Sequence, residues 1–268
     1  MSRWRKAALK GLLLVAVAYG LLTYVVLPLA WERYEYQPGL ADRPMVTRTS
    51  DGIPGDPLNV GLVGSEEGIF VAMHAAGWLS ADPLTLRSAV EIVGSVLLDR
   101  PYVHAPVSPL FLEGRREDLA FEKPVGESAD RRHHVRFWKV LESGEEGRPV
   151  WLGAVTFDRG VGLSHDTGQI THHIAPDIDT QRDLLIGDLA AAGKLKAIYQ
   201  VSGIGPTLYG RNGGGDPYYS DGELVVGRLV AAGEPDDMTP QRLPAPAVIE
   251  LKNTLWPHIA AALAGRPD

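Results

Sequence analysis

Residues 148–179 read RPVWLGAVTFDRGVGLSHDTGQITHHIAPDID, and the reading of this stretch decides the fold. Residues 150–157 are apolar and rich in β-branched and aromatic side chains, which predicts a strand. A glycine-bounded loop carrying His165 follows, and residues 170–174 predict the next strand. No helical period intervenes, so a hairpin brings the second strand back along the first. Asp158 and Arg159 stand at the end of the first strand, where a side chain can face a cleft instead of the core. His172 heads the second.

Working outward, residues 119–123 and 135–140 also predict strands, and Gly144 and Gly147 punctuate a hairpin loop. Upstream, residues 58–63 predict a strand. Ser65 then caps a helix with Glu66 and Glu67 in its first turn, where the helix dipole favours acids. Ile69, Phe70 and Met73 give that helix an apolar face and Gly77 stops it. His74, on this helix, reads as a surface or satisfied core residue. A second helix is expected from Asp82-Pro83, with Leu86, Ala89, Val90, Val93 and Leu97 as its stripe. Downstream, Thr180 with Asp183 resembles a capping box. The helix it opens carries Leu184, Leu185 and Leu189 and closes at Gly193. Residues 197–201 predict a strand, and residues 218–230 a hairpin arm turning at Asp221-Gly222. A last helical pattern from Pro246 is broken or kinked at Pro257. The order is β-α-α, then several strands, then α-β-β. That order predicts an α+β fold: a mostly antiparallel sheet with packed helices.

A single transmembrane helix precedes it. Residues 11–30 carry no charge, and twenty such residues span about 30 Å of hydrocarbon. Arg3, Arg5, Lys6 and Lys10 precede them, while Glu32 and Glu35 follow among Trp31, Tyr34 and Tyr36. The positive-inside rule therefore puts the N-terminus in the cytoplasm and the remainder outside. The run is longer than a signal-peptide core and lacks a small-x-small cleavage site, so an uncleaved anchor is expected. The expected divisions are 1–30 for the basic N-terminus and anchor, and 31–56 for a proline- and glycine-rich linker. The folded domain is expected at 57–232, and a tail with a short helix at 233–268.

Composition narrows the function. Hydrophobic residues make up 45% of the 268, enough for a packed core. The net charge of −7 lacks the basic face of a nucleic-acid binder. The chain has no cysteine, which excludes disulfides, thiolate metal sites and cysteine nucleophiles. There is no P-loop, no G-x-S-x-G, no H-E-x-x-H and no dinucleotide fingerprint. Arg159 and His165 have the spacing of an acid-phosphatase signature, but Asp158 and Gln169 stand where that signature needs serine and aspartate. Gly210 to Asp216, GRNGGGD, reads as a turn-rich loop.

Five of the eight histidines fall between residues 115 and 183: His133, His134, His165, His172 and His173. Adjacent strand residues face opposite sides, so each His pair offers one ring to a given face. His165, His172 and His173 could hold a metal with Asp166, Asp177 or Asp179 supplying oxygen, but no spacing among them is diagnostic, so hydrogen-bonded histidines at sheet edges and turns, with no cofactor, are the first expectation. Arg115, Arg116, Arg131, Arg132 and Arg136 read as a solvated face paired with Glu117, Asp118 and Glu122. If the chain has a working site, its candidate residues are Arg115, Asp158, Arg159, His165, His172 and Asp216.

Several linked motifs carry a resemblance: SPLFLEGRREDLAFEKPVG, HHVRFW, RPVWLGAVTFDRGVGLS, THHIAPDID followed by RDLLIGDL, and GDPYYSDG. With these the chain resembles the LssY C-terminal domain family from about Asp56 to Val230. The resemblance implies a bacterial, membrane-associated protein of the cell envelope. Similar domains are often attached to multi-pass membrane regions, including lipid-phosphatase-like and DedA-like ones. This chain departs from that pattern, with one apparent span and no phosphatase domain. The family carries no catalytic residues over to this sequence. The expectation is a single-pass envelope protein whose extracytoplasmic domain binds a ligand or partner, such as a lipid-linked phosphate or glycan. The alternative is an envelope hydrolase with a His/Asp/Arg site, with or without a metal. Partners are the membrane and an envelope lipid or membrane protein, and not nucleic acid.

Overall fold

A computed structural model gives the structure and describes residues 3–27, 40, 43–81, 109–125, 131–144, 146–168, 170–231, 233–235 and 239–265. The chain divides into two compact units, Met1–Ala41 and Asp42–Asp268. In the first, helix α1 (Arg3–Leu21) runs on into a π-helical turn, Leu22–Val26. Together they are long and apolar enough to cross a membrane.

The strands of the second unit, in chain order, are β1 (Val46–Arg48), β2 (Pro54–Pro57), β3 (Val60–Val63), β4 (Leu79–Ser80), β5 (Phe111–Leu112), β6 (Arg115–Arg116), β7 (Leu119–Pro124) and β8 (Arg132–Leu141). They continue with β9 (Val150–Leu163), β10 (Ile170–Ile174), β11 (Leu195–Val201), β12 (Tyr209–Arg211), β13 (Pro217–Tyr219), β14 (Leu224–Leu229) and β15 (Gln241–Arg242). Its described helices are α2 (Glu66–Ala75), α3 (Ile178–Ala191) and α4 (Ala247–Ala264). The main sheet runs β15-β11-β14-β3-β9-β8-β7-β4, with β10 added on β9. Only β15 on β11 and β14 on β3 pair in parallel among the described strands. A small antiparallel sheet, β2-β1-β5-β6, and the hairpin β12–β13 complete the α+β fold. The β1–β2 hairpin lies inside the segment read as a linker, and α4 inside the segment read as a tail. Both belong to the compact unit. The helix expected from Asp82 lies outside the described residues.

Strand β9 organises the sheet. Its first half is flanked by β3 and β8, and its second half by β10. Asp158 sits opposite both Arg132 on β8 and Ile174 on β10, so β3 and β10 share one edge of β9. Between them Val155 has no strand partner on that edge. Asn59, just before β3, fills the gap with its side chain. Its Oδ1 accepts the Val155 N–H at 3.0 Å, and its Nδ2 donates to the carbonyls of Val155 (3.0 Å) and Ile178 (3.1 Å). One amide thus replaces a missing ladder rung and ties in the start of α3.

The two faces of the sheet differ. Phe121, Val135, Phe137 and Val155 pack against Ile69, Phe70 and Met73 of α2 and Leu185 and Leu189 of α3. Gly153 permits this: a Cβ there would come within 2.6 Å of the Phe137 ring. The same strands carry Glu122, Arg132, His134, Arg136, Thr156 and Asp158 to the other face, all buried. Arg132 and Arg136 are therefore not part of a solvated surface, because β8 is covered on both sides. Arg115, Arg116 and Arg131 keep that exposed character, with Arg115 paired to Asp118 and Arg116 to Glu117.

Caps follow the sequence with one shift. Ser65 Oγ accepts the Gly68 N–H at 3.1 Å, as expected. Helix α3 is capped by Asp177, whose carboxylate accepts both the N–H and the hydroxyl of Thr180, so the helix starts earlier than a Thr180 box predicts. The Asp221-Gly222 turn forms with Gly222 at φ 78°, yet it does not close a hairpin. β13 pairs with β12 and β14 with β11 and β3, and Asp221 between them is held by Arg182. That guanidinium donates to both Asp221 oxygens (2.9 and 3.1 Å) and to Asp179 (3.2 Å). Trp256 of α4 donates to Asp179 and Lys252 to the Asp221 carbonyl, which fastens α4 to the start of α3. Pro257 lies inside α4 without breaking it.

Asn59→Ala strands a buried N–H and a buried C=O at Val155. Each costs about 1–3 kcal/mol, so a loss of roughly 3 kcal/mol is expected in equilibrium chemical denaturation.

Candidate functional site

Alternation along β8 places Arg132, His134 and Arg136 in one row, and alternation along β9 sets Thr156 and Asp158 beside them. Asp158 has no exposed surface. Three cations or potential cations surround it. His134 Nδ1 is 3.2 Å from Oδ1, His172 Nδ1 is 3.3 Å from Oδ2, and Arg132 Nε is 3.5 Å from Oδ2. The two imidazole contacts are ion-pair distances without hydrogen-bond alignment, so His134 Nδ1, His172 Nδ1 and Asp158 Oδ1 are buried and lack a hydrogen-bond partner. Arg132 also binds Glu122 at 2.9 Å, and His134 Nε2 meets the Thr156 hydroxyl at 2.9 Å. Asp56, from β2, lies 3.5 Å from Arg136 Nη1 and 3.8 Å from His134 Nε2. The three acids Asp56, Glu122 and Asp158 thus share one face with Arg132, Arg136 and His134.

The protonation states follow. Burial pushes the Asp158 carboxyl up, but the charge of His134, then those of His172 and Arg132, outweigh it and hold it at about 2. Burial pushes the His134 ring down, and Asp158 more than reverses this, so His134 titrates above its usual value. For His172 burial wins over the attraction of Asp158, and Arg132, His134 and Arg136 add to the depression. A perturbed carboxyl alone does not mark a site. Asp179 is raised to about 6, first by burial, then with Arg182 lowering it and Asp221 raising it again, yet its oxygens are taken up by Arg182, Ser220, the Asp221 N–H and Trp256.

Asp158 differs because it opens on a cavity. Between the polar face and the β1–β2 hairpin lies a space of about 140 Å³, walled by Asp56, His134, Arg136, Asp158, His172 and Asn212 among others. Asn212 reaches Asp56 at 3.5 Å from the β12–β13 loop. Its Oδ1 accepts the N–H groups of Gly214 and Asp216, so the loop is ordered by a side chain.

Of the six residues singled out in the sequence, Asp158 and His172 meet in this cavity. His165 and Asp216 meet elsewhere, in a second cluster with His173. There His173 Nδ1 is 2.8 Å, and His165 Nε2 3.5 Å, from Asp216 Oδ1. These three residues offer ligand atoms within 4.8 Å of one another. Arg115 is at the β5–β6 hairpin, bound to Asp118 and the Lys139 carbonyl, and Arg159 is exposed; neither lines the cavity. The adjacent histidines do face opposite ways. His134 and His172 turn to Asp158, whereas His133 bonds Gln181 at 2.7 Å and His173 turns to Asp216. Sequence reasoning did not single out Asp56, Arg132, His134 or Arg136 as site residues. The available signal was the polar set 132, 134, 136 with 156 and 158, all at strand spacing.

The structure is thus that of an α+β domain with a charged cavity on one sheet face, together with a helix able to span a membrane. A family model described as the LssY C-terminus matches residues 35–224, and the chain belongs to the LssY C-terminus family. No curated protein and no solved structure matches the chain.

The Asp158–His134 pair makes stability pH-dependent in a defined sense. Asp158 is depressed, so its contribution is present above its ordinary value of 3.8 and is lost as pH falls towards about 2. His134 is raised, so its contribution is complete below 6.5 and is lost as pH climbs through its folded value. Denaturation profiles should therefore peak between these limits. Asp158→Asn should flatten the acid limb and cost about 3–5 kcal/mol at neutral pH.

Proposed function

We propose that this chain is a single-pass envelope protein whose folded unit lies outside the cytoplasm and binds a hydroxyl-rich, sugar-type headgroup in the Asp158 cavity. The observation that carries the reading is the cavity wall itself. Carboxylates, an arginine, imidazoles and an asparagine line one space, so its wall both donates and accepts hydrogen bonds. A ligand that does both is matched to such a wall. Sugar hydroxyls do both. A bare phosphate would meet the carboxylates of Asp56 and Asp158 as like charges. At about 140 Å³ the space is below the roughly 300 Å³ of drug-sized pockets, which suits a headgroup and not acyl chains. The family membership and the apolar N-terminal helix support the envelope setting.

One contact favours a second reading, a hydrolase. A carboxylate near one nitrogen of an imidazole favours the protonated ring and leaves the other nitrogen for proton transfer, and Asp158 Oδ2 lies 3.3 Å from His172 Nδ1.

The test uses the full chain in detergent with a panel of soluble mono- and disaccharides, sugar phosphates and inorganic phosphate, read by ligand-observed NMR and melting temperature. Saturable binding of a sugar is expected. His172→Ala should weaken it at least tenfold, and Arg159→Ala should leave it unchanged. Equal effects of the two variants, or binding of inorganic phosphate alone, would sink the reading. Release of product from a glycoside or phosphoester would instead select the hydrolase. For topology, a reporter active only in the cytoplasm, fused after Asp268, should be silent.

A further inference from the structure

We propose that His165, His173 and Asp216 form a binding site for a divalent transition-metal ion of the Zn²⁺ class, with one coordination position open to solvent. This site is separate from the Asp158 cavity and does not depend on what that cavity binds.

The ligands come from three segments: His165 from the loop after β9, His173 from β10 and Asp216 from the β12–β13 loop. One atom from each lies within 4.8 Å of the other two, and the closest pair, His173 Nδ1 and Asp216 Oδ1, is 2.8 Å apart. Tetrahedral Zn²⁺ with bonds of 2.0–2.2 Å needs ligand atoms about 3.4 Å apart. The existing separations bracket that value. An ion would replace the His173–Asp216 hydrogen bond and part that pair by about 0.6 Å, while His165, whose side chain is 60% exposed, can turn towards the ion without disturbing the core.

The surroundings hold the other two in place. Asp216 is buried. Its Oδ2 accepts the Ile174 N–H at 3.0 Å, which leaves Oδ1 towards the two rings. The Asp216 N–H donates to Asn212 Oδ1, and the His165 N–H donates to the Gly214 carbonyl at 2.9 Å. The Ile174 N–H is thus an outer-shell partner of the Asp216 carboxylate, and the two backbone bonds hold the chain at His165 and Asp216 against one loop before any ion arrives. Two glycines clear the space. A Cβ at Gly162 would lie 2.5 Å from His173 Nε2, and one at Gly215, which has φ 83°, would lie 2.8 Å from His165 Cβ.

Two imidazoles and one carboxylate suit Zn²⁺ and its neighbours better than Ca²⁺ or Mg²⁺, which prefer all-oxygen ligands. Three protein ligands with an exposed edge match an exchangeable or reactive ion, not a closed structural one. The arrangement also accounts for a buried carboxylate faced by two histidines within a few ångströms.

The untagged full chain in detergent, stripped with chelator, is titrated with Zn²⁺ by calorimetry and with Co²⁺ by visible absorption. One equivalent of Zn²⁺ should bind, and Co²⁺ should show the d–d bands of a low-coordinate site. His165→Ala, at an exposed position where folding is not at stake, should weaken Zn²⁺ at least tenfold, as should Asp216→Asn. His258→Ala, an exposed histidine on α4, should change it less than twofold. Failure of the wild-type chain to bind one equivalent overturns the proposal. So does wild-type affinity in both His165→Ala and Asp216→Asn, since the ion would then sit elsewhere.

Discussion

A carboxylate with no exposed surface stays ionised only if its neighbours repay the hydration it has lost, and Asp158 meets that condition on three sides. Holding the group near 2 instead of 3.8 corresponds to roughly 2–3 kcal/mol of net attraction at 1.36 kcal/mol per unit. The attraction therefore exceeds the desolvation that opposes it. Much of the second unit is arranged to deliver it. β8 must run beside β9 so that Arg132 and His134 stand next to Asp158. β10 must leave β9 at Asp158 so that His172 can reach back. Glu122 and Asp56 then share that face with them.

The fork in the sheet has its own solution. Where β3 stops and β10 has not yet begun, a backbone pair on β9 would be buried without a partner. Asn59 supplies the partner from a side chain, at the same 3.0 Å a strand would give. The asparagine makes the gap between β3 and β10 tolerable and ties it to the start of α3. Elsewhere a comparable cost is met in another way: the Arg182 cluster has a similar density of charge but is filled by its own donors and by Trp256 and Lys252 of α4.

Local signals were legible and cross-chain ones were not. The strands 150–157 and 170–174, the Ser65 cap and the opposite facing of paired histidines follow from periodicity and capping chemistry; the structure has the cap, the facing and the second strand, but the first strand runs on to Leu163, so Asp158 and Arg159 stand within it and not at its end. Arg132 and Arg136 look like surface residues because burial on both faces of a strand depends on what covers it. The cover here, the β1–β2 hairpin, lies in a stretch whose prolines and glycines read as a linker. Asp56 and Asn59 act on partners about a hundred residues away, and nothing near them in sequence marks that role. Asp221-Gly222 shows the converse: its turn is local and forms, but the strands it joins pair with other strands. Of the six residues singled out for a site, four fall into two clusters, and Arg115 and Arg159 take no part in either.

Strand β10 gives the last consequence. His172 and His173 are neighbours on one peptide, and their rings enter different compartments, one beside Asp158 and one beside Asp216. The strand acts as a party wall. A ring can rotate on either side without the other responding. A shift of the backbone must move both rings at once, in opposite senses relative to their surroundings. Changes in β2, which carries Asp56, or in the loop carrying His165 can retune one compartment alone. A change in the pitch of β10 cannot.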